Sequence, residues 1–374
     1  MTNLYPNLFD LYLVPVFFIL GFLIIYKIKL LTDLSLVEIN TIYLYHTLMC
    51  LIYYYISLNN PNDSVYYFRN VFHDGHINYN FRFGSPFIQS FIKLIVMNLN
   101  LTLLPLFLFF NIIGSLGLIF IYNAFKKINN KNKLEKLIVI FICFLPSIYF
   151  WSSAVGKEPF TYLATGLLLN SFSKNKIKYH YIIIAFLLLL SVRPFMAGFL
   201  VIAIAIGLMI KPNRYIFITF PFIVTFSISF IAYVIFYLKR LNIAVFNNYE
   251  SFISFINKQK SNTFSNEFSN MTNEGFFYHF FSYIFRPLPF ERSDFLSLLS
   301  GIENIILILI TFICLTKINI RNIYNNNLII LLIYSIVSCF FLVIATYNLG
   351  VAIRQKWFFL IPLFFILLGN RQTK

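Results

Sequence analysis

The sequence predicts an all-α, polytopic membrane protein: a transmembrane helical bundle of about eleven spans, with its N-terminus outside and its C-terminus in the cytoplasm. Three observations predict this. The 374 residues are 59% hydrophobic and only 11% charged, with a mean hydropathy of +0.78, whereas a soluble domain of this size carries about 25% charged residues. Apolar runs near the ~20 residues that cross a bilayer recur from end to end. Runs such as FLVIAIAIGLMI (199–210) also lack the alternation of a β-barrel strand.

Taken in order, spans are expected at 9–28, 40–58, 101–123, 137–152, 158–172, 180–192, 195–210, 215–238, 297–316, 327–346 and 357–369. The first is expected to be retained, because MTNLYPNLFD has no basic stretch of the kind that opens a cleaved signal peptide. The joining segments alternate in character. KIK (27–29), KKINNKNKLEK (126–136), SKNKIK (173–178), KPNR (211–214), TKINIR (316–321) and NRQTK (370–374) are short and basic, and they hold 16 of the 29 lysines and arginines. Basic density assigns them to the cytoplasm. The net charge of +16 is therefore mostly topological, and a nucleic-acid partner is not needed to explain it.

The stretch 180–210 has basic flanks and reads as a hairpin. Its break is expected at Arg193-Pro194, since the residue before proline avoids helix. Each arm is short for a span, which is tolerated when the arm packs inside protein. Two large segments fall outside: 58–100, ending in the amphipathic FIQSFIKLIVMNLN along the membrane surface, and 239–296, rich in Asn, Ser and Phe. No repeat and no soluble domain stands out, so residues 1–374 read as one integral membrane domain. The 48 Phe and 25 Tyr read first as lipid-facing and interfacial aromatics, and second as a sugar-stacking surface. Cys50, Cys143, Cys314 and Cys339 lie in apolar runs and read as packing residues.

Polar groups not explained by topology collect on the outer side: Asp63, Arg69, His73, Asp74, His76, Arg82, Lys157, Glu158, Arg193, His279, Arg286, Glu291, Arg292, Arg354 and Lys356. Lys157, Glu158, Arg193 and Arg354 sit at tight turns near membrane depth, where each charge costs roughly 2.5 kcal/mol or more. Each has a plain structural reading. Lys157 and Glu158 can open a helix with Pro159 in its first turn, Arg193 can snorkel to headgroups, and Arg354 and Lys356 can anchor the last span beside Trp357. Their common side favours a second reading. Clustered Arg and Lys suit a phosphate or diphosphate headgroup and stabilise the charge that develops on such a leaving group. A neighbouring carboxylate or histidine can take a proton from an attacking sugar hydroxyl. On this reading Trp151, Ser152 and Ser153 wall a cavity, Lys157 faces phosphate and Glu158 faces the acceptor. No P-loop, GxGxxG, HExxH or CxxC pair occurs. His73-Asp74-x-His76 is a metal pattern without further ligands, and no metal or cofactor is expected.

PSIYFWSSAVGKEPF (146–160), SVRPF (191–195), FRPLPFE (285–291) with IEN (302–304), and YNLGVAIRQKWFFLIP (347–362) resemble motifs of bacterial O-antigen and capsule repeat-unit polymerases. The resemblance runs in order over roughly 60–365. It implies a GT-C-like helical fold in the inner membrane that joins undecaprenyl-diphosphate-linked oligosaccharides at the periplasmic face, with no nucleotide sugar and no essential metal. The implied partners are lipid-linked glycans, membrane lipids and a chain-length regulator. It further implies Arg193, Arg354, Lys157 and Arg286 as diphosphate ligands, and Arg69, Asp74, Arg82, Trp151 and Glu291 as substrate contacts. Glu158 matches the acidic half of a GK-[DE] pattern and is the first candidate base. Asp63 stands where many GT-C enzymes keep a catalytic acid, and His279 is the single histidine of the large loop. That loop lacks an HxxxxR pattern, which leaves these three candidates open. The alternatives are a GT-C transferase moving one sugar from a polyprenyl phosphate, a flippase or other transporter, and an acyltransferase. A flippase would show about twelve to fourteen spans, midplane polar groups and often a repeat.

Overall fold

The computed structural model describes residues 10–60, 62–73, 81–128, 133–173, 177–210, 275–291, 295–316 and 328–369. The expected span 215–238, most of the expected loop 239–296, Asp74, His76 and Arg292 lie outside the described residues. All regular structure among the described residues is helical, without a strand. In chain order the helices are α1 (Asp10–Ile28), α2 (Leu36–Asn59), α3 (Asp63–His73), α4 (Ser85–Leu99), α5 (Leu103–Lys127), α6 (Lys133–Cys143), α7 (Pro146–Ser152), α8 (Glu158–Phe172), α9 (Tyr179–Val192), α10 (Pro194–Ile210), α11 (Phe276–Phe285), α12 (Phe295–Leu315), α13 (Ile329–Ala345), α14 (Leu349–Gln355) and α15 (Trp357–Gly369).

Among the described residues, six stretches are long and apolar enough to cross a membrane: Tyr12–Leu31, Leu36–Asn59, Leu103–Lys127, Lys133–Ser152, Ser297–Leu315 and Leu349–Gly369. The other expected spans that fall on described residues form shorter helices. At 1.5 Å per residue, a 15-residue helix such as α8 reaches only about 22 Å. All of α8 except Leu163 is buried, so it is shielded by protein on every side.

Local chemistry sets the helix ends. Ser35 and Glu38 form a capping box that starts α2, with Ser35 N–H donating to Glu38 Oε2 at 2.7 Å. Pro146 separates α6 from α7, and Pro194 opens α10. Arg193, caught between two helices before that proline, is extended (φ −142°, ψ 72°). The hairpin break expected from the sequence lies at this residue.

The chain divides into two compact units, Met1–Ala197 and Gly198–Lys374. In the first, α5 and α8 cross at two glycines. A Cβ on Gly117 would stand 2.6 Å from Leu163 N, and one on Gly166 would stand 2.6 Å from Gly117 O. Small residues allow this approach, as in membrane helix pairs generally. Because the obstructing atoms are backbone, they cannot rotate away. Gly117→Ala is expected to lower stability by about 1–3 kcal/mol, read by thermal melting in detergent. Gly275→Ala is the control, since nothing lies within 4 Å of its Cβ position.

Polar contacts mark the two ends of this unit. At one end Lys126 meets Glu38 (2.7 Å), Asn123 accepts from Asp33 N–H (2.9 Å), and Asn123 Nδ2 donates to Asn170 Oδ1 (2.6 Å). At the other, Thr102 donates to Asp10 (2.6 Å), Gly84 N–H donates to Ser191 O (2.8 Å), and Arg193 meets Glu158 (2.9 Å). The helices thus run alternately up and down. The segment 58–100 contributes α3 and α4, with Ile88, Ile92, Ile95 and Val96 of α4 on its buried face.

In the second unit, a Cβ on Gly301 would meet Pro289 N at 2.6 Å. Glycine at this point of α12 lets the 286–291 turn lie directly on the helix.

Candidate functional site

The polar centre of the first unit lies where α8 starts and α9 ends. Arg193 Nη2 donates to Glu158 Oε1 at 2.9 Å, and Arg193 Nε donates to Thr161 Oγ1 at 3.2 Å. Both charged side chains are nearly enclosed, at 14% and 10% exposure. Thr161 is fully buried, and its hydroxyl also donates to Lys157 O at 2.9 Å. Glu158 and Thr161 are three residues apart and share a face of α8, so one edge of the guanidinium is held by one helical turn. A Cβ on Gly156 would lie 3.2 Å from Glu158 Oε2 and 3.7 Å from Tyr67 Cε2. Glycine there gives the carboxylate its clearance and lets α3 approach.

The turn preceding α4 docks on the same end of α9. Gly84 has φ +91°, a conformation that favours glycine, and its N–H bonds to the carbonyl of Ser191, two residues before Arg193. Arg82 is exposed on that turn. The structure therefore brings Lys157, Glu158, Arg193 and the Arg82 turn together. Asp63 and Arg69 are exposed at the start and middle of α3.

The Ser152 and Ser153 hydroxyls do not line an open wall. Ser152 is fully buried and bonds His46 Nε2 at 2.8 Å, while Ser115 bonds His46 Nδ1 at 2.9 Å. Ser153 donates to Phe150 O at 2.8 Å. Pro146 restarts the helix so that Ser152 faces α2 and α5. Trp151 is half-buried against Tyr53 and Phe150, with ring centroids at 5.8 and 5.3 Å.

The second unit has its own polar cluster, built from the other quoted motifs. Lys356 stands between α14 and α15 and is 1% exposed. Its Nζ donates to Ile284 O at 2.9 Å and to Asn304 Oδ1, and lies 5.4 Å from the Trp357 ring centre. Glu303, also buried, is close enough to act on it electrostatically. Asn304 Nδ2 donates to Pro287 O at 2.8 Å, which ties α12 to the turn after α11. Lys356 is thus an interior group, against the expectation that it anchors the last span at the surface. Its backbone stays helical, with Lys356 N–H donating to Ala352 O at 3.0 Å, and it faces α11 and α12 through Ile284 and Asn304.

Arg286 and Glu291 pair with each other at 2.8 Å, and Arg286 Nη1 donates to Tyr278 OH at 2.7 Å. His279 is buried, with Nε2 2.6 Å from Val343 O and its ring stacked on Tyr347 at 4.5 Å. A nitrogen that close to a carbonyl carries the proton, so Nε2 is a donor here. Burial raises the Tyr347 phenol above its ordinary range. Arg354 is half-buried in the last turn of α14.

Two residues of these clusters carry no role in the sequence reading, Thr161 and Asn304, and Lys356 carries there only that of an anchor. For Thr161 the signal was present, since a polar residue one turn after Glu158 shares its face. Among the described residues, no group of three or more His, Cys, Asp or Glu side chains is placed to hold a metal. Comparisons with protein-family models, curated proteins and solved structures found no match to this chain.

Proposed function

We propose that this protein polymerises undecaprenyl-diphosphate-linked oligosaccharide repeat units into a surface polysaccharide, O-antigen or capsule, at the periplasmic face of the bacterial inner membrane. In this reading the bundle is GT-C-like, with about eleven spans, N-terminus periplasmic and C-terminus cytoplasmic. The observation that carries the reading is the nearly buried Glu158–Arg193 pair with Lys157 beside it. A charge pair at the ends of apolar helices is costly to retain, and this one unites the two groups that glycosyl transfer from a diphosphate needs.

The chemistry assigns them as follows. The acceptor sugar hydroxyl attacks the anomeric carbon of the donor glycan. Its oxygen forms the new glycosidic bond, and its proton passes to Glu158. The bond from the anomeric carbon to the diphosphate oxygen breaks, and the electron pair leaves on undecaprenyl diphosphate. Arg193 and Lys157 meet that charge. Arg354 and Arg286 are assigned to diphosphate by their motifs, and Arg69, Arg82, Trp151 and Glu291 to the glycans. Asp63 supports a second reading, transfer of a single sugar from a polyprenyl phosphate, because it stands exposed at the start of α3 where such a transferase carries its acid.

The test is the glycan ladder of a deletion strain complemented with variants. Glu158→Gln and Arg354→Ala are each expected to abolish long chains while the protein is still found in the membrane. A normal ladder from Glu158→Gln removes it as the base. In the uncomplemented strain, a single repeat unit transferred to the outer-membrane core means polymerase. Loss of one side-branch sugar means the second reading.

A further inference from the structure

We propose that Glu158 is the resting occupant of the anion site on Arg193, and that an incoming diphosphate displaces it and so releases the base. The inference rests on the diphosphate reading above and adds an order of events to it.

The geometry supplies the parts. Two of the bonds that Arg193 makes to α8 are of unequal kind. The bond from Nε goes to a neutral hydroxyl, Thr161 Oγ1, which is fixed in turn on the Lys157 carbonyl. The bond from Nη2 goes to a carboxylate oxygen. A diphosphate competes for the second bond only, since it is an anion replacing an anion. The Thr161 bond remains and keeps the guanidinium plane in place. Diphosphate has the advantage of more charge and of several oxygens that a guanidinium fork can bind at once. Lys157, next in sequence to Glu158, adds a second cation.

Displacement has a chemical consequence. A carboxylate beside a guanidinium is a poor proton acceptor, because the opposite charge stabilises its ionised form. Once diphosphate holds Arg193, the carboxylate is released and can take the proton of an acceptor hydroxyl. Gly156 carries no side chain beside Glu158 Oε2, and the Tyr67 ring forms the far side of that space. The acceptor is then deprotonated only when a donor is bound. Thr161 acts in this scheme as a positioning residue and touches neither substrate.

The probe is inorganic pyrophosphate, titrated calorimetrically into purified full-length protein in detergent micelles at fixed ionic strength. Glu158→Gln removes the competing anion and is expected to bind pyrophosphate at least 10-fold more tightly than the wild type. Thr161→Val is expected to weaken binding, and Thr161→Ser to restore it. Glu158→Gln is also expected to melt below the wild type and to recover on adding pyrophosphate, because the ligand replaces the missing counter-charge. Should Glu158→Gln fail to fold, Glu158→Asp carries the test, as its shorter carboxylate withdraws from Arg193 and binding should again tighten. Binding equal to or weaker than the wild type in these Glu158 variants overturns the displacement but leaves the diphosphate site standing. Absence of pyrophosphate binding in the wild type and the variants overturns both.

Discussion

Arg193→Ala is expected to abolish long glycan chains and also to destabilise the first unit by about 3–5 kcal/mol. The second effect follows from burial. Arg193 and Glu158 are 14% and 10% exposed, so removing the guanidinium leaves a carboxylate with little access to water, and an uncompensated buried charge costs about that much. Glu158→Ala is expected to cost a similar amount for the converse reason. The informative variant is the pair. With both charges gone nothing is left uncompensated, so the double alanine variant should cost less than the sum of the singles, with a coupling of about 0.5–3 kcal/mol. Thermal or denaturant melts of the four proteins in detergent give that coupling directly. Additive costs would mean that the two side chains do not stabilise each other. Arg193→Lys separates stability from recognition. It keeps the charge but loses the planar fork, so it should melt closer to the wild type and still give short chains. A long ladder from Arg193→Ala would remove Arg193 from the site whatever its melting behaviour.

How far the sequence foretold these contacts depends on the kind of information each one uses. Hydropathy and proline positions act locally, and the helices follow them: α1, α2, α5 and α8 to α10 coincide within a few residues with expected apolar runs, and the extended Arg193 sits where the proline rule places it. Charge parity is also nearly local, and it brings α8's start and α9's end to one end of the first unit. It does not say which way a side chain turns about its helix. Glu158 and Arg193 were expected on one side, each with its own task, and the rotation of α8 and α9 that joins them comes from packing. The seating of α8 on α5 is set by Gly117 and Gly166, whose backbone contact no periodicity announces. Ser152 shows the same gap. It was expected near an open surface because it is polar and close to a turn, but the restart at Pro146 points it at His46. For Lys356 the neighbouring Trp357 suggested an interfacial anchor. The contacts of Lys356 with Ile284 of α11 and Asn304 of α12 reverse that, and such long-range packing has no local signal.

Lys356→Met is expected to be the most damaging single change in the second unit, at about 3–5 kcal/mol. Methionine nearly matches the lysine in length and removes the ammonium, so the cost isolates the polar contacts from the packing. Two groups lose a hydrogen-bond donor together, the Ile284 carbonyl and Asn304 Oδ1, and buried Glu303 loses a nearby compensating cation. Each buried group left without a hydrogen bond costs about 1–3 kcal/mol, and a buried carboxylate that loses a compensating cation adds to that. Asn304→Ala should be milder, since it strands only the Pro287 carbonyl and one N–H of the ammonium. The double variant Lys356→Met with Glu303→Gln tests which term dominates. If the stranded charge does, neutralising Glu303 should recover part of the loss. If the hydrogen bonds to Ile284 and Asn304 do, the double variant should be no better than Lys356→Met alone. Size-exclusion profiles and melting curves of detergent-solubilised protein read both outcomes, and a Lys356→Met protein that melts with the wild type would show that the ammonium holds nothing. The consequence reaches the turn that carries Arg286 and Glu291. Asn304 binds Pro287 with one end of its amide and Lys356 with the other, so losing the ammonium frees the amide to rotate. The 286–291 turn then keeps its own ion pair and its contact at Gly301 but loses its hydrogen bond to α12, and glycan ladders should shorten in Asn304→Ala even where the protein remains folded.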